Sequence, residues 1–151
     1  MSEDISGYGA SVRVLASNTF PAGFEISQFA DDADAIDAPA LDISGNAMGL
    51  NGDKVSWTSA NPIPITLNLI TNSEDDRNLS ILFEANRAGK NKASAKDVIT
   101  FVISYADGSI TTLTGGSCVS FIPAKSIASE GRLKTNAYAF AFENRIAIPA
   151  I

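Results

Sequence analysis

The sequence predicts a mainly β domain, a barrel or sandwich of about eight short strands with one packed helix and one long loop. Three observations predict it. Apolar residues recur at every second position in the longest regular stretches, an Asp-Gly dipeptide separates two β-rich runs, and a helical pattern occurs once, behind a serine and three acids. At 151 residues the chain fits a single domain spanning 1–151, long enough to bury a core without disulfides or metal.

Taken in order, Ser11–Ala16 and 23–29 are short strand candidates. The stretch 30–53 is different. It opens with Asp31, Asp32, Asp34 and Asp37 among alanines, and 44–53 holds three glycines and three Asn or Asp residues, with Met48 and Leu50 stranded among polar neighbours. A structureless segment this long is unusual in a compact domain unless it is functional. It reads either as an arm that orders on a partner or as a meander of short strands, and the arm is the preferred reading, with Phe29 at its root. Residues 55–58 are a further strand candidate. In Ile63–Leu69 the residues Ile63, Ile65, Leu67 and Leu69 alternate with Pro64, Thr66 and Asn68, which gives one apolar face.

A helix is predicted over about 74–88. Ser73 can cap it, Glu74, Asp75 and Asp76 suit the positive end of the helix dipole, and Leu79, Leu82 and Phe83 fall on one face, widened by Ile81 and Ala85. Gly89, between Arg87 and Lys90, is the expected C-terminal cap. Strands resume at 98–105, where Ile99, Phe101, Ile103 and Tyr105 alternate with smaller residues. Asp107-Gly108 then predicts a hairpin with a two-residue loop into 109–114, pairing Tyr105 with Ile110 and Val102 with Leu113. After a weaker run at 118–122, Tyr138, Phe140 and Phe142 alternate with Ala137, Ala139 and Ala141. That strand carries an aromatic row on one face and methyl groups on the other.

Charge is distributed unevenly. Residues 1–53 carry nine acids and one base, whereas residues 54–151 carry eight acids and ten bases, within a net charge of −6. Tight nucleic-acid binding is disfavoured, because it relies on Lys and Arg neutralising phosphates. The basic stretch Arg87, Lys90, Lys92 and Lys96 has no interleaved aromatic residue, so it reads as a complement to the acidic arm of a neighbouring copy. The acidic N-terminus lacks the features of a signal peptide, and the uncharged run 55–73 is too rich in Pro, Asn and hydroxyl residues for a membrane anchor.

The sequence offers little chemistry. There is no histidine and one cysteine, which excludes Ser-His-Asp and Cys-His catalysis, His-ligated metals and Cys-x-x-Cys pairs. An EF-hand starting at Asp32 fails, since Asp37 and Ile43 occupy the positions that need Gly and Glu. Gly7-Tyr-Gly9 and Gly115-Gly116 lack the remainder of any nucleotide-binding loop and read as turns. Cys118 and Trp57 read as core residues. No catalytic residue, metal ligand or cofactor site is assigned.

In Met48-Gly-Leu-Asn-Gly-Asp, Pro62-Ile-Pro-Ile-Thr-Leu-Asn-Leu, Asp75-Asp-Arg-Asn-Leu and Glu84-Ala-Asn-Arg-Ala-Gly, the chain resembles the tail tube subunits of contractile-tailed bacteriophages. The likeness lies in segment order and size over most of the chain, not in a short motif. It implies a β-barrel-like fold with one packed helix, hexameric rings stacked into a hollow tube, and long loops that reach the adjacent ring. The implied partners are further copies of the chain, tail sheath subunits and double-stranded DNA that passes without tight binding. The implied place is the virion tail, assembled in the host cytoplasm. The family brings no catalytic residues. The alternative from another class is a receptor- or glycan-binding β-domain of a tail fibre or other virion accessory protein.

Overall fold

The computed structural model describes residues 10–27, 29, 35–125, 127, 129, 131 and 133–149. Among them are ten strands and one helix: β1 (Ser11–Ala16), β2 (Phe20–Ile26), β3 (Ile36–Asp37), β4 (Ser44–Met48), β5 (Lys54–Thr58), β6 (Ile63–Leu69), α1 (Glu74–Asn86), β7 (Ile99–Ser104), β8 (Ile110–Phe121), β9 (Asn136–Phe142) and β10 (Asn144–Ile148). Eight strands form one antiparallel sheet in the order β2-β1-β7-β8-β9-β6-β3, with β10 beside β8, while β4 and β5 form a separate two-stranded ribbon. The fold is mainly β with one packed helix, as the alternation implied.

The long strand β8 joins the two halves of the sheet. Its first part pairs with β7 and β10 and its second part with β9. The ladders against β10, from Ile110↔Ile148 to Thr114↔Asn144, and against β9, from Ser117↔Ala141 to Cys118↔Phe140, keep the same frame. Against β7, however, the register shifts between Ile99↔Gly116 and Phe101↔Leu113. That bulge contains Gly115, at φ +66. A left-handed glycine is what such a bulge requires, and the extra residue bends the strand. Next to it, a Cβ on Gly116 would lie 2.4 Å from the Phe142 ring. Gly115-Gly116 is therefore a bend inside a strand and not a loop.

The bend lets both halves of the sheet share one core. Val12, Val14, Ile99 and Phe101 from one half are buried with Ile65, Leu67, Leu69, Tyr138, Phe140 and Phe142 from the other. The aromatic row of β9 points inward, as its alternation predicts. Phe101 and Phe140 meet edge-on at 4.5 Å between ring centroids, and Phe83 of α1 meets Phe140 at 4.9 Å and Tyr138 at 5.2 Å. Such ring pairs add to the area they bury. Cys118 packs against this core, and burial, reinforced by the charge of Asp97, pushes its thiol up to about 12. It is an inert apolar filler.

Helix α1 begins as predicted, with Ser73 accepting from the Asp76 backbone N–H at 3.1 Å. Asp75 and Asp76 do more than complement the dipole. Both are buried; Asp76 accepts from Tyr138 Oη at 2.7 Å and Asn136 Nδ2 at 2.8 Å, and Asp75 accepts from the Ser27 N–H at 2.9 Å. Burial, then the bond to Asp76, pushes the Tyr138 phenol up. The other end differs from expectation. Arg87 is the C-cap in an extended conformation, its N–H donating to the Glu84 carbonyl, and the Lys92 ammonium donates to the carbonyls of Glu84 and Arg87 in place of a left-handed Gly89. Ile81 also departs from the predicted stripe and is exposed.

The Asp107-Gly108 hairpin is present, but its register is one residue away from the expected one. Ser104 pairs with Ile110, Phe101 with Leu113 and Val102 with Thr112. Tyr105 N–H donates to Ser109 O at 3.0 Å and Gly108 N–H to Tyr105 O at 3.1 Å, so the loop has three residues, with Gly108 at φ +91. The core selects this register. It turns Leu113 inward beside Phe101, whereas the two-residue loop would set Leu113 against Val102 on the outer face. Strand β2 likewise starts earlier than expected, at Phe20. It is an edge strand interrupted by Pro21 and by Gly23 at φ +77, features that blunt an edge.

One polar residue organises the side of the sheet near α1. Asp97 is buried, and its carboxylate accepts from the N–H groups of Asn18 (2.6 Å) and Thr19 (2.9 Å), the Thr19 hydroxyl and Asn86 Nδ2 (2.8 Å). Burial alone would raise its pKa, but these bonds outweigh it and hold the carboxyl below the ordinary value. Asp97 thus ties the β1–β2 turn to the C-terminal end of the helix.

Candidate assembly surface

The segment that reads as an arm contains strands. Ile36 and Asp37 pair with Leu67 and Thr66, and Phe29 bridges to Leu69 and packs against the core, so these residues belong to the body. Asp31, Asp32 and Asp34 lie outside the described residues. Met48 and Leu50 sit at the end of the β4–β5 ribbon, whose register runs from Ser44↔Thr58 to Met48↔Lys54.

Nearly every residue of this ribbon is exposed on both faces. The pairing puts Ser44, Asn46, Ser56 and Thr58 on one face, where Ser56 Oγ donates to Asn46 Oδ1 at 2.9 Å. The other face carries Ala47 and Val55 with Gly45 and Trp57. Trp57 is not the core residue its sequence setting suggests: it is 52% exposed and lies over Gly45, where a Cβ would come within 2.3 Å of the ring. Ile43 and Val55 extend this apolar face and are 69% and 56% exposed. The tip is closed by Gly49 N–H to Asp53 O at 2.7 Å and Gly52 N–H to Gly49 O at 2.9 Å, with Gly52 at φ +86. Leu50 at the apex is fully exposed. The Asn51-Gly52 dipeptide is the sequence signal for this hairpin; the glycines and polar residues before it hide β4, whereas β5 is the strand expected at 55–58.

The proposed basic patch is not a set of four free cations. Glu84 accepts from Arg87 at 2.8 Å and Lys92 at 3.3 Å, and the Arg87 hydrogen bond, with help from Lys92, holds its carboxyl down to about 2. Lys90 and Lys96 are exposed, with Lys96 at φ +53. Meanwhile Asp75, Asp76 and Asp97 are buried. In the first third, by contrast, Glu25, Asp37, Asp42 and Asp53 are exposed. Burial therefore sharpens the charge asymmetry that the sequence shows.

Two concavities flank these features. A cavity of about 220 Å³ opens between the two halves of the sheet, walled by Ile36, Ile63, Ile65, Ile103 and Leu113, with Tyr105 and Arg145 among its lining. A shallower one of about 330 Å³ lies at the bend, beside Pro62, Gly115 and Glu143. Among the described residues no group of three or more His, Cys, Asp or Glu side chains could hold a metal ion, and no helix is long and apolar enough to cross a membrane.

The family model described as tail fiber protein gp32 matches residues 3–146. No curated protein matches the chain at a significant level. Among solved structures, the fold is similar to a chain of the cryo-EM structure of an extracellular contractile injection system, PVC sheath/tube terminator in extended state, with a TM-score of 0.60 and 11% identity over 99% of each chain. A chain of the anti-feeding prophage baseplate matches with a TM-score of 0.56 and 11% identity over 98% of this chain and 97% of that one. A chain of the anti-feeding prophage cap, described as the AFP tube terminating cap, matches with a TM-score of 0.54 and 12% identity over 99% and 94%. At these identities the likeness establishes a shared fold.

Proposed function

From the premise that the chain belongs to the family described as tail fiber protein gp32, we propose that it is a structural subunit of a contractile tail, acting by self-assembly into rings of the inner tube. One observation carries the reading. The β4–β5 ribbon leaves the body with an apolar face of Trp57, Val55, Ala47 and Ile43 in solvent. An isolated two-stranded hairpin is marginal in water, and such a face needs a partner surface. The fold shared with chains of contractile injection systems supports the same reading. In it, rings stack into a conduit, sheath subunits surround the tube, and the acidic balance keeps passing DNA from adhering to the wall.

A second reading, a ring that terminates the tube, is favoured by the likeness to chains from tube-terminator and tube-cap structures, which extends over almost the whole chain. The two readings differ in one respect: a tube subunit stacks without limit, whereas a terminator forms rings that stop. The receptor- or glycan-binding reading fits a family described as a tail fiber protein, but it needs an exposed aromatic ring beside a carboxylate. The ring in the cavity at the bend, Phe142, is buried.

Excision of the ribbon tests the assembly reading. Ser59 N–H donates to Ile43 O at 2.9 Å, so a short Gly-Ser turn can replace residues 44–58. Electron microscopy and light scattering should show rings or tubes for the intact chain and a folded monomer for the excised one. A strictly monomeric intact chain at high concentration would sink the proposal. So would an excised chain that assembles normally.

A further inference from the structure

The cavity between the sheet halves and the ribbon tip are complementary in shape and in charge. The cavity wall is aliphatic, with Ile65 5%, Ile103 2% and Leu113 2% exposed, yet it opens to solvent beside Tyr105, which is 39% exposed. Arg145 pairs with Leu113 across the β8–β10 ladder, so its side chain shares the inward face of the sheet, and it lines the cavity. Its guanidinium has no ion-pair partner among the described residues. An aliphatic pocket with an unmatched cation at its mouth suits a branched apolar side chain followed by a carboxylate.

The ribbon tip presents that arrangement. Leu50 is 107% exposed, and Asp53, three residues on across the turn, is exposed and has no ion-pair partner among the described residues. The five residues of β4 span about 17 Å, which carries Leu50 well away from the base of the ribbon. Leu50 therefore does not fill the cavity of its own copy. We propose that Leu50 of one copy inserts into the Ile36/Ile63/Ile103/Leu113 cavity of a second copy, with Asp53 pairing to Arg145 at its mouth. The volume is adequate: an apolar cavity of about 150 Å³ holds a benzene-sized guest, and this one measures about 220 Å³. Knob and hole lie at different places on the same chain, so the contact is heterologous and propagates from copy to copy. The inference rests on the self-assembly reading above and specifies which surfaces meet.

The test uses the full chain. Leu50→Asp should lower the assembled fraction about tenfold or more, since burying an unpaired carboxylate at the centre of a contact is strongly unfavourable. Arg145→Glu should weaken assembly, and Asp53→Arg combined with Arg145→Glu should restore it. In a Cys118→Ser background, Leu50→Cys together with Ala38→Cys at the cavity wall should give a ladder of disulfide-linked oligomers under mild oxidation, while either change alone should stop at dimers. If the wild type assembles, Leu50→Asp assembles equally well and no ladder forms, the knob-and-hole contact is wrong and the assembly reading stands. If the wild type stays monomeric and no variant cross-links, both fall.

Discussion

Two hairpins in this molecule have the same turn and opposite surroundings. Tyr105–Ser109 and Gly49–Asp53 each close a three-residue loop with the same two backbone hydrogen bonds, and Gly108 and Gly52 have nearly the same φ, +91 and +86. This is the turn-plus-bulge geometry that glycine permits. The strands beside it differ. In β7 every second residue is buried, starting with Ile99, whereas β5 is exposed throughout. The turn is thus set locally, while burial is set by what lies across the strand. β7 finds the β9 aromatics in its own chain, and the β4–β5 ribbon is left exposed by the described residues.

The largest test of that difference removes one ring from the body hairpin. Phe101 is fully buried and touches Phe140 and Phe142. Phe101→Ala should cost ~3–5 kcal/mol in denaturant unfolding, from lost burial plus the cavity left behind. A loss below about 1 kcal/mol would mean that the two halves of the sheet are not joined through these rings.

The same contrast explains what the sequence could reveal. β6, β9 and the start of α1 were legible because one face of each packs on the core, so burial imprints a period on the residues. β4 was not legible. Ser44-Gly-Asn-Ala-Met has no apolar alternation, because neither face of the strand packs on the core. The hairpin register was missed by one residue because Asp-Gly fits both a two- and a three-residue loop, and only the core position of Leu113 decides between them. Asp97, a buried carboxylate that accepts four hydrogen bonds, looked like one charge among many, since its partners at Asn18 and Thr19 are almost eighty residues away. Of the candidate assembly residues, Met48 and Leu50 are exposed apolar side chains, whereas Phe29 is held by the body.

Asp97 gives the next test, because it braces the body and leaves the ribbon untouched. Its folded pKa is lowered, so its contribution is complete above the ordinary carboxylate value and is lost as pH falls through the lower folded value. Asp97→Asn should cost ~1–3 kcal/mol at neutral pH and should flatten the acid limb of stability against pH. An unchanged acid limb would show that the carboxylate is not the source of that dependence.

The turn glycines sharpen the comparison further. Neither Gly108 nor Gly52 has any atom within 4 Å of an added Cβ, so alanine costs only backbone strain, ~1–2 kcal/mol at each. The cost should register differently. Gly108→Ala should lower global stability by that amount, whereas Gly52→Ala should speed hydrogen exchange in the ribbon and leave the global transition in place. If both shift the global transition equally, the ribbon folds as part of the body.

The smallest expected effect on the isolated chain concerns Trp57. It contacts Gly45 across the ribbon and is half exposed, so Trp57→Ala should change monomer stability by less than about 0.5 kcal/mol, as is usual for surface positions. Its effect on assembly should be much larger, because aromatic anchors dominate contact energies once they are desolvated. The wild type provides its own control. Trp57 is the sole tryptophan of the chain, so its emission reports directly on the ribbon. That emission should be red-shifted and accessible to quenchers in dilute monomer, and blue-shifted and protected once copies associate. Emission that stays unchanged through assembly would place the apolar face of the ribbon outside the contact and leave only its tip to carry the interaction.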